Sequence, residues 1–534
     1  MPHTGGGGSY PAGLRDQDTA VWQKAQQMLL SCRFDRAIHN YREITRTTPD
    51  YASLWFETGM AAAGNLEFNL SRACLDMSAS LASNDASLLL LIGEQFQKIR
   101  MSSKARECAE KAVEADPKNI HCRLTLASYF ERERRLSDAW ECVETSLHMQ
   151  PENSGAKYYR AFLLHRRGKN CESELALREL LKKPALDPAT RQSANHLLGV
   201  VLDAMGNTPD AMEFFKISKS LLRATPQATS LKRTYETGAR QRKELLASLS
   251  SEQILQWQRE ALGETNYELA FLGGHPRSGT TLIEQVLGAH PEVIAFDEPE
   301  AFTMEILNAV CPPGQSASMT FNTLQSLSTG YRNEIKGRYF KSLLREVSGG
   351  IKGRLLLDKN PSPTSALFLW LRLFPGIKVI MPLRDPRDVV ISCYQQNLGL
   401  TSANVNFLTL EDTVQHYCDL MDVWLRVKSL GGFEWIETRY ENMVAEPEKE
   451  GLRVTEFLGR DWNPVQSRFY ESARDKFVFA PTYHDVTQPV HQRSVGRWQA
   501  YSEYLKPCLA KLEPYCQALG YGLEYNSSAF QVSR

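Results

Sequence analysis

The sequence lacks a surplus of charge of either sign. Its 534 residues include 62 lysines and arginines against 62 aspartates and glutamates, so the formal net charge is zero. Proteins that attract nucleic acid or an anionic membrane through their overall field carry a clear excess of positive charge. We therefore expect neither partner, and an anionic ligand would need a local positive pocket.

Cysteines are few and show no pattern. The 11 cysteines are scattered, with no CxxC pair and no Cys/His cluster at the spacing of a metal site. An odd number without such spacing argues against a disulfide framework and against a zinc site. We expect reduced thiols in the protein cores and no bound metal.

Long apolar runs are also missing. No run of about 18 apolar residues occurs, so we expect no membrane-spanning helix. The segment 1–16 is rich in glycine and is expected to be flexible. It has no apolar core flanked by basic residues, which argues against a secretory signal and favours a cytoplasmic location. The length predicts two to four domains, and 42% hydrophobic residues suffice for their cores.

Residues 17–225 read as one helix after another, with prolines at a regular interval. Pro49, Pro117 and Pro151 are separated by 68 and 34 residues, and the slot between the first two, Ser83, is followed by Asn-Asp. Proline and polar residues stop a helix. Small residues, which let two helices approach closely, recur at a similar interval: Ala37, Ala73, Ala105 and Ala139.

A period near 34 residues is typical of tetratricopeptide repeats, in which each repeat is a helical hairpin that buries its apolar face against its neighbours. We predict five or six such repeats over 17–225, with an unrelated helical bundle as the alternative. The resemblance to this repeat family implies a concave surface for a protein or peptide partner.

The pattern changes in the second half of the chain. Residues 226–262 predict two connecting helices, and 263–525 predict a second domain in which short apolar runs alternate with helical stretches. Strands that alternate with helices favour a parallel sheet covered on both faces. The predicted fold is an α-solenoid followed by a P-loop-like α/β domain. Its predicted strands are ELAFLG (268–273), VIAF (293–296), LLLD (355–358), KVIMPL (378–383) and FEWIET (433–438).

The first predicted strand runs directly into GGHPRSGTTL (273–282) and then into a helix. Gly274 and Gly279 allow sharp bends, so that successive backbone N–H groups and the helix N-terminus can face one anion. Charged and hydroxyl side chains could add further donors, namely Arg277, Ser278, Thr280 and Thr281. We predict an anion-binding turn, the alternative being an ordinary Gly/Ser-rich turn.

The loop differs from that of a nucleotide kinase. Position 280 is threonine where the Walker A motif needs lysine. The nearest candidate for a metal-holding aspartate, Asp358, is followed by Lys359. Both features disfavour a P-loop kinase or NTPase, which remains one alternative function.

The motif PRSGTTL resembles the 5′-phosphosulfate loop of sulfotransferases, and HPEV at 290–293 extends the match. Over about 265–500 the chain looks most like tyrosylprotein sulfotransferases and the tetratricopeptide-repeat sulfotransferases of bacteria. The resemblance implies 3′-phosphoadenosine 5′-phosphosulfate as the donor, held at Arg277–Thr281 including Gly279, an acceptor with a hydroxyl group, and no metal.

The resemblance also implies the rest of the donor site. Arg384 and Ser392, in RDPRDVVIS after the fourth strand, are similar to the family's pair on the 3′-phosphate. Tyr440 is similar to a donor-contacting tyrosine of the tyrosylprotein enzymes. The stretch VTQPVHQRSVGRWQAY (486–501) is similar to a loop that closes over the nucleotide, with Ser494, Gly496 and Arg497 as the candidate contacts.

For catalysis, the resemblance implies a general base. In both similar families a catalytic glutamate follows the loop arginine by 21 residues, the separation between Arg277 and Glu298 in FDEPE. Lys359 matches a family lysine near the sulfuryl group, and with Arg277 it could neutralise the leaving group. Asp297 and Glu300 are acidic neighbours of the proposed base, and His275 is a rival base that we expect to be structural.

One position departs from the tyrosylprotein enzymes, which have an arginine shortly after the glutamate. Here that position is Glu300, which puts a preference for acidic tyrosine peptides in doubt. Protein tyrosine, carbohydrate, lipid and small hydroxyl compounds all remain open as acceptors. A non-catalytic scaffold with an inactive α/β domain is the other alternative function.

Overall fold

The computed structural model describes residues 16–260, 267–311, 320–347, 350–471 and 490–522. Most of the glycine-rich N-terminal segment, and residues 486–489 of the C-terminal motif, lie outside these ranges. The chain divides into two compact units, Met1–Leu186 and Asp187–Arg534. No helix in the described ranges combines the length and apolarity that crossing a bilayer requires.

The described part of the first unit consists of five consecutive helix pairs. From α3 onward the first helix of each pair begins 34 residues after the previous one, and the second helices keep the same interval. The predicted repeat period is therefore confirmed. The helices are Asp16–Leu30 and Phe34–Thr47 (α1, α2), Ala52–Gly64 and Phe68–Leu81 (α3, α4), Ala86–Lys98 and Ser102–Ala115 (α5, α6), Ile120–Arg132 and Leu136–Met149 (α7, α8), and Ser154–Arg166 and Asn170–Leu181 (α9, α10).

Each pair turns at a residue with left-handed backbone, two positions after the first helix ends. Such a residue stops a helix and redirects the chain. A non-glycine residue pays a steric cost of about 1–2 kcal/mol there, which the packing of the two helices must outweigh. These residues recur every 34 positions: Cys32, Leu66, Arg100, Arg134 and Gly168.

One of the positions at which we predicted a small residue between packed helices is wrong. Ala73 is exposed, and the residue that keeps the 34-residue interval with the buried Ala37 and Ala105 is Ser71. The hydroxyl of Ser71 is buried without penalty because it donates to the carbonyl of Gly59 at 2.8 Å. A small residue is needed at this position because it faces the partner helix of its own repeat.

The second unit begins with a sixth helix pair and two further helices. The pair hydrogen-bonds to the segment 395–397: His196 Nε2 lies 2.9 Å from the carbonyl oxygen of Gln395, and Lys219 donates to Gln396 at 2.5 Å. This attachment places the pair in the same compact unit as the sheet. The helices are Pro188–Ala204 (α11), Thr208–Arg223 (α12), Pro226–Ser248 (α13) and Ser251–Arg259 (α14).

A five-stranded sheet forms the centre of the second unit. All neighbouring strands are parallel, in the order β2-β3-β1-β4-β5, as the alternation of strands and helices predicted. Their carboxyl ends therefore meet at one edge, where the predicted site residues follow them. The strands are Glu268–Leu272 (β1), Val293–Asp297 (β2), Leu355–Lys359 (β3), Lys378–Leu383 (β4) and Trp435–Arg439 (β5).

Helices cover both faces of this sheet. On one face Ile283 and Val286 of α15 pack against the apolar side chains of β1 and β3. On the other, Trp370 of α19 stacks on Phe271 of β1 with ring centroids 4.6 Å apart. The remaining α-helices are Thr280–Gly288 (α15), Asn308–Val310 (α16), Phe321–Gln325 (α17), Thr329–Leu343 (α18), Leu367–Leu373 (α19), Pro386–Tyr394 (α20), Leu410–Leu430 (α21), Tyr440–Ala445 (α22), Pro447–Phe457 (α23), Ser502–Leu505 (α24) and Leu509–Ala518 (α25).

Candidate active site

The predicted phosphate turn joins β1 to the N-terminus of α15. Gly274 and Gly279 of this turn have left-handed backbone, with φ of 102° and 94°. A Cβ atom at Gly279 would lie 2.6 Å from the ring of Tyr440, so no larger residue fits there. The bends leave α15 starting at Thr280, with its first backbone N–H groups beyond the reach of helical carbonyls and available to an anion.

The turn brings Arg277 to Ser392, two predicted donor-site residues that are 115 positions apart. Arg277 Nε donates to the hydroxyl of Ser392 at 3.0 Å. The hydroxyl of Ser278 donates to the carbonyl of His275 at 2.7 Å, which closes the turn. Thr280 and Thr281 are buried at the start of α15. The arginine that matches the 5′-phosphosulfate loop and the serine that matches the 3′-phosphate pair therefore line one site.

Arg384 joins this site from the end of β4. Its guanidinium donates to the carbonyls of Arg277, at 3.2 Å, and Ser494, and lies 4.8 Å from the ring centroid of Tyr440. Its Nε is buried and has no hydrogen-bond partner among the described residues. A buried arginine donor without a partner is costly unless a ligand oxygen accepts from it. The site therefore fits a phosphate group.

Asp388 was missed by sequence reasoning. It lies one turn after Arg384 and accepts from the backbone N–H groups of Gly496 at 2.8 Å and Trp498 at 2.7 Å. Burial raises the pKa of its carboxyl to about 6, and the charge of Arg384 opposes that rise. Asp388 thus fixes the predicted nucleotide-closing segment to the helix that follows β4. The second aspartate of RDPRD was the only signal for it in the sequence.

Arg497 has a carboxylate partner of its own. Its guanidinium forms an ion pair with Asp203 of α11, and the hydroxyl of Tyr501 donates to the same carboxylate. Ser494 contributes its carbonyl to Arg384. Of the candidate contacts in this segment, Ser494 contacts Arg384, Gly496 contacts Asp388, and Arg497 contacts Asp203.

The ends of β2 and β3 bring Glu298 and Lys359 together. Lys359 Nζ donates to Glu298 Oε1 at 3.2 Å and to the carboxylate of Asp297. The backbone N–H of Glu298 donates to the carbonyl of Lys359 at 2.8 Å, which fixes this register. Glu300 is exposed beside them.

The electrostatics of this pair follow from burial. Lys359 is fully buried, whereas the side chain of Glu298 is 44% exposed. Burial lowers the pKa of Lys359, but the carboxylates of Glu298 and Asp297 outweigh it, and that pKa lies above its usual value. The lysine therefore keeps its charge at the edge of the sheet, next to a carboxylate that solvent or a ligand can reach.

Arg277 and Glu298 share an unusual backbone. Their φ angles are 73° and 49°, and among the described residues of the second unit they are the two non-glycine residues with left-handed φ. Strain of this kind costs about 1–3 kcal/mol per residue and is concentrated at functional sites. Both residues were predicted to take part in catalysis.

The two remaining candidates have partners of their own. His275 is buried, with Nδ1 2.8 Å from the carbonyl oxygen of Pro276 and Nε2 3.0 Å from Nδ1 of His416. Asp358 is fully buried and accepts from the hydroxyl of Tyr339 at 2.8 Å. No group of three or more metal-binding side chains occurs in the part of the chain that the structure describes.

Comparison with known proteins shows which proteins this domain is similar to. Residues 270–464 match the model of the sulfotransferase family. An uncharacterised protein of Aquifex aeolicus (strain VF5) is 24% identical over 63% of this chain and 43% of its own length. Protein-tyrosine sulfotransferase A of Caenorhabditis elegans is 29% identical over 36% of this chain and 50% of its own length. The chain thus spans at most half of the length of each of these two relatives.

Other relatives are covered more completely. Protein-tyrosine sulfotransferase 2 of Gallus gallus is 24% identical over 48% of this chain and 72% of its own length.

Among solved structures, MamA is 15% identical and covers 31% of this chain with a TM-score of 0.27. PilF of Pseudomonas aeruginosa is 14% identical and covers 39%, with a TM-score of 0.29. At such scores the repeat interpretation rests on the helix pairs described above.

Proposed function

We propose that this chain transfers a sulfuryl group from 3′-phosphoadenosine 5′-phosphosulfate to an acceptor hydroxyl. The observation that carries the proposal is the convergence of Arg277, Ser392 and Arg384 at the start of α15, next to the Glu298–Lys359 pair. The first group supplies donors for a nucleotide with phosphates at two positions. The second supplies a base and a cation where sulfur would be attacked.

The donor would be held by the P-loop-like turn and by β4. The N–H groups at the start of α15, with the side chains of Ser278, Thr280 and Thr281, suit the 5′-phosphosulfate. Arg384, with its unpartnered Nε, and Ser392 suit the 3′-phosphate, because a guanidinium fork matches phosphate oxygens. Tyr440 stacks beside Arg384 and supports its orientation.

In the proposed reaction Glu298 takes the proton of the acceptor hydroxyl while the hydroxyl oxygen bonds to sulfur. The bond between sulfur and the bridging phosphate oxygen breaks, and its electron pair leaves with adenosine 3′,5′-bisphosphate. Lys359 and Arg277 stabilise the negative charge that develops on the sulfuryl and bridging oxygens. This chemistry needs no metal, because sulfate carries less charge than phosphate.

The test is transfer of labelled sulfate from the donor to a panel of phenols, sugars, lipids and tyrosine peptides. Label must appear in an acceptor without added Mg²⁺, and the donor must be converted to adenosine 3′,5′-bisphosphate in equal amount. Mg²⁺-dependent ATP consumption instead would favour a P-loop kinase or NTPase. Inertness towards both donors would favour a non-catalytic scaffold.

We further propose that the repeats of the first unit hold a protein or peptide partner. Partly exposed apolar side chains support this, Leu91 at 46% and Met77 at 44%. Crosslinking of the intact protein to candidate peptides, followed by mapping of the linked residues, tests it. Links confined to the second unit would contradict it.

A further inference from the structure

A cavity of about 350 Å³ borders the candidate active site, and none of the residues assigned above to that site lines it. Its volume is in the range of small-molecule pockets. Three lining residues are close along the chain to the reacting groups. Pro276 precedes the loop arginine, Phe302 follows the proposed base by four residues, and Ser362 follows the buried lysine by three. Through Pro276 the cavity lies next to the turn that carries Arg277.

The wall of the cavity is mostly apolar. Helix α13, which comes before the sheet in the chain, forms one side, and the segment after β3 and α21 form others. Among the described lining residues there is no carboxylate, and Arg242 is the one cation. The apolar and aromatic lining consists of Tyr235, Pro276, Phe302, Leu307, Pro363, Ala366, Phe368, Ala403, Phe407 and Leu420.

Arg242 forms no ion pair with any described residue. It is half-buried on α13, with its guanidinium 5.6 Å from the ring centroid of Tyr235. The hydroxyl of Tyr235 donates to Asp419 at 2.7 Å, so its proton is not available to a ligand in the cavity. One cation in an otherwise uncharged wall favours a ligand with an anionic group.

His416 supplies a hydrogen-bond acceptor to the same cavity. The carbonyl of Pro276 can only accept, so the proton of His275 lies on Nδ1 and its Nε2 accepts from Nδ1 of His416. Burial lowers the pKa of both imidazoles, His275 to about 4, which keeps them neutral. Nε2 of His416 is therefore unprotonated, and it has no partner among the described residues. The side chain is 5% exposed and lines the cavity.

We propose that this cavity is the acceptor site and that it takes a compact, mostly apolar hydroxyl compound with one anionic group. The juxtaposition that carries the proposal is Arg242 and His416 in one apolar wall, next to the turn that carries Arg277. Arg242 pairs with the anionic group, and Nε2 of His416 accepts a hydrogen bond from the bound compound. The assignment as an acceptor site rests on the proposed sulfotransferase function.

The wall favours this class over an acidic peptide. A peptide with several carboxylates would need several cations, and the described wall offers Arg242 alone. The exposed Glu300 adds a negative charge beside the proposed base. A neutral sugar would leave the arginine and the aromatic side chains without matching groups.

The test measures binding of two matched probes to the full-length protein by calorimetry. The probes are 3-(4-hydroxyphenyl)propanoic acid and its methyl ester, which share the phenol and differ in charge. The variants are Arg242→Gln and, as a matched control, Lys243→Gln, which removes a charge from an exposed neighbour on the same helix. We expect Arg242→Gln to weaken binding of the acid about tenfold and that of the ester hardly at all. Lys243→Gln should change neither.

His416 is tested by two partial replacements. His416→Asn retains a donor near Nδ1 for His275 and loses Nε2, whereas His416→Gln retains an acceptor near Nε2. We expect His416→Asn to weaken the binding of both probes by about fivefold to tenfold, and His416→Gln to weaken it less. Equal loss in both variants would show a packing role and remove His416 from the proposal.

Donor binding, measured by thermal shift with adenosine 3′,5′-bisphosphate, separates the two proposals. If the bisphosphate stabilises the protein but neither phenol binds, or an acidic tyrosine peptide alone is sulfated, the acceptor inference is wrong and the proposed function stands. If the acid binds through Arg242 but the bisphosphate has no effect, the cavity is a binding site and the proposed function is wrong. Equal affinity for acid and ester in the wild type would also overturn the inference.

Discussion

In the first unit, non-glycine residues with left-handed backbone recur every 34 positions, each two residues beyond a helix end. In the described residues of the second unit the same backbone occurs at Arg277 and Glu298, with no periodicity and at the edge of the sheet. The first set serves chain reversal, and any residue that tolerates the conformation suffices. The second set positions the two side chains for which we propose roles in sulfuryl transfer, so we attribute its strain to function. Periodicity therefore separates structural strain from functional strain.

The largest expected effect is at Glu298. Replacement Glu298→Gln keeps the size of the side chain and removes its ability to take a proton. We expect the rate of sulfuryl transfer to fall by roughly 10²–10⁴. Stabilisation by adenosine 3′,5′-bisphosphate should persist, because the residue does not hold the donor.

The matched control is Glu300→Gln, since Glu300 is exposed two residues away. Its transfer rate should stay within about threefold of the wild type, because replacements of solvent-exposed side chains usually have small effects. Comparable losses in both variants would mean that local charge, rather than a positioned base, explains the effect.

The next largest effect is at Arg384, which distinguishes a phosphate at the 3′ position from nucleotide binding in general. Replacement Arg384→Ala should weaken the binding of adenosine 3′,5′-bisphosphate by about tenfold to a hundredfold, because charged hydrogen bonds to a buried guanidinium are lost. Any weak thermal stabilisation by ADP should be the same in the variant as in the wild type. Titration of both ligands by thermal shift checks this, and parallel losses would place Arg384 away from the 3′-phosphate.

A smaller effect is expected within the repeats, where Ser71 and Ala73 lie on the same helix. Replacement Ser71→Val overfills a buried contact and removes the hydrogen bond to Gly59, so we expect a loss of about 1–3 kcal/mol of unfolding free energy. Replacement Ala73→Val, at an exposed position, should stay within about 0.5 kcal/mol. Urea unfolding measures the change in unfolding free energy of both variants. A larger loss in Ala73→Val than in Ser71→Val would contradict the assignment of Ser71 as the buried small residue of this repeat.

The smallest effect concerns the left-handed residues themselves. Cys32 is exposed at φ 57°, so Cys32→Gly removes a steric cost and should stabilise the protein by up to about 1 kcal/mol. Arg277→Gly relieves the same strain but should abolish donor-induced stabilisation. If Arg277→Gly bound the bisphosphate normally, the distinction between structural and functional strain would fail.

Much of the fold was predictable because its signals are local. All five predicted strands occur, with ends shifted by at most two residues, since apolar runs and the following turn residues mark them directly. The repeat period was also correct. The sequence analysis named Ala73 instead of Ser71 because helix α4 contains several small residues. The sequence alone does not show which of them faces the other helix of the repeat.

The parts that sequence reasoning missed depend on distant contacts. His416 meets His275 across 141 residues, and Arg242 reaches the cavity from a helix assigned only to a connector. Arg497 was expected near phosphate, but the structure pairs it with Asp203, 294 residues away. No local pattern encodes such pairs, because they arise only when segments that are distant along the chain pack together.

The most direct test of the central claim is thermal unfolding with adenosine 3′,5′-bisphosphate, with ADP and Mg·ATP alongside. At about 100 times its dissociation constant, a ligand specific for the folded state adds roughly 2.7 kcal/mol. A sulfotransferase donor site predicts a raised midpoint with the bisphosphate, little change with Mg·ATP, and loss of the response in Arg384→Ala. Stabilisation by Mg·ATP with no response to the bisphosphate would contradict the account.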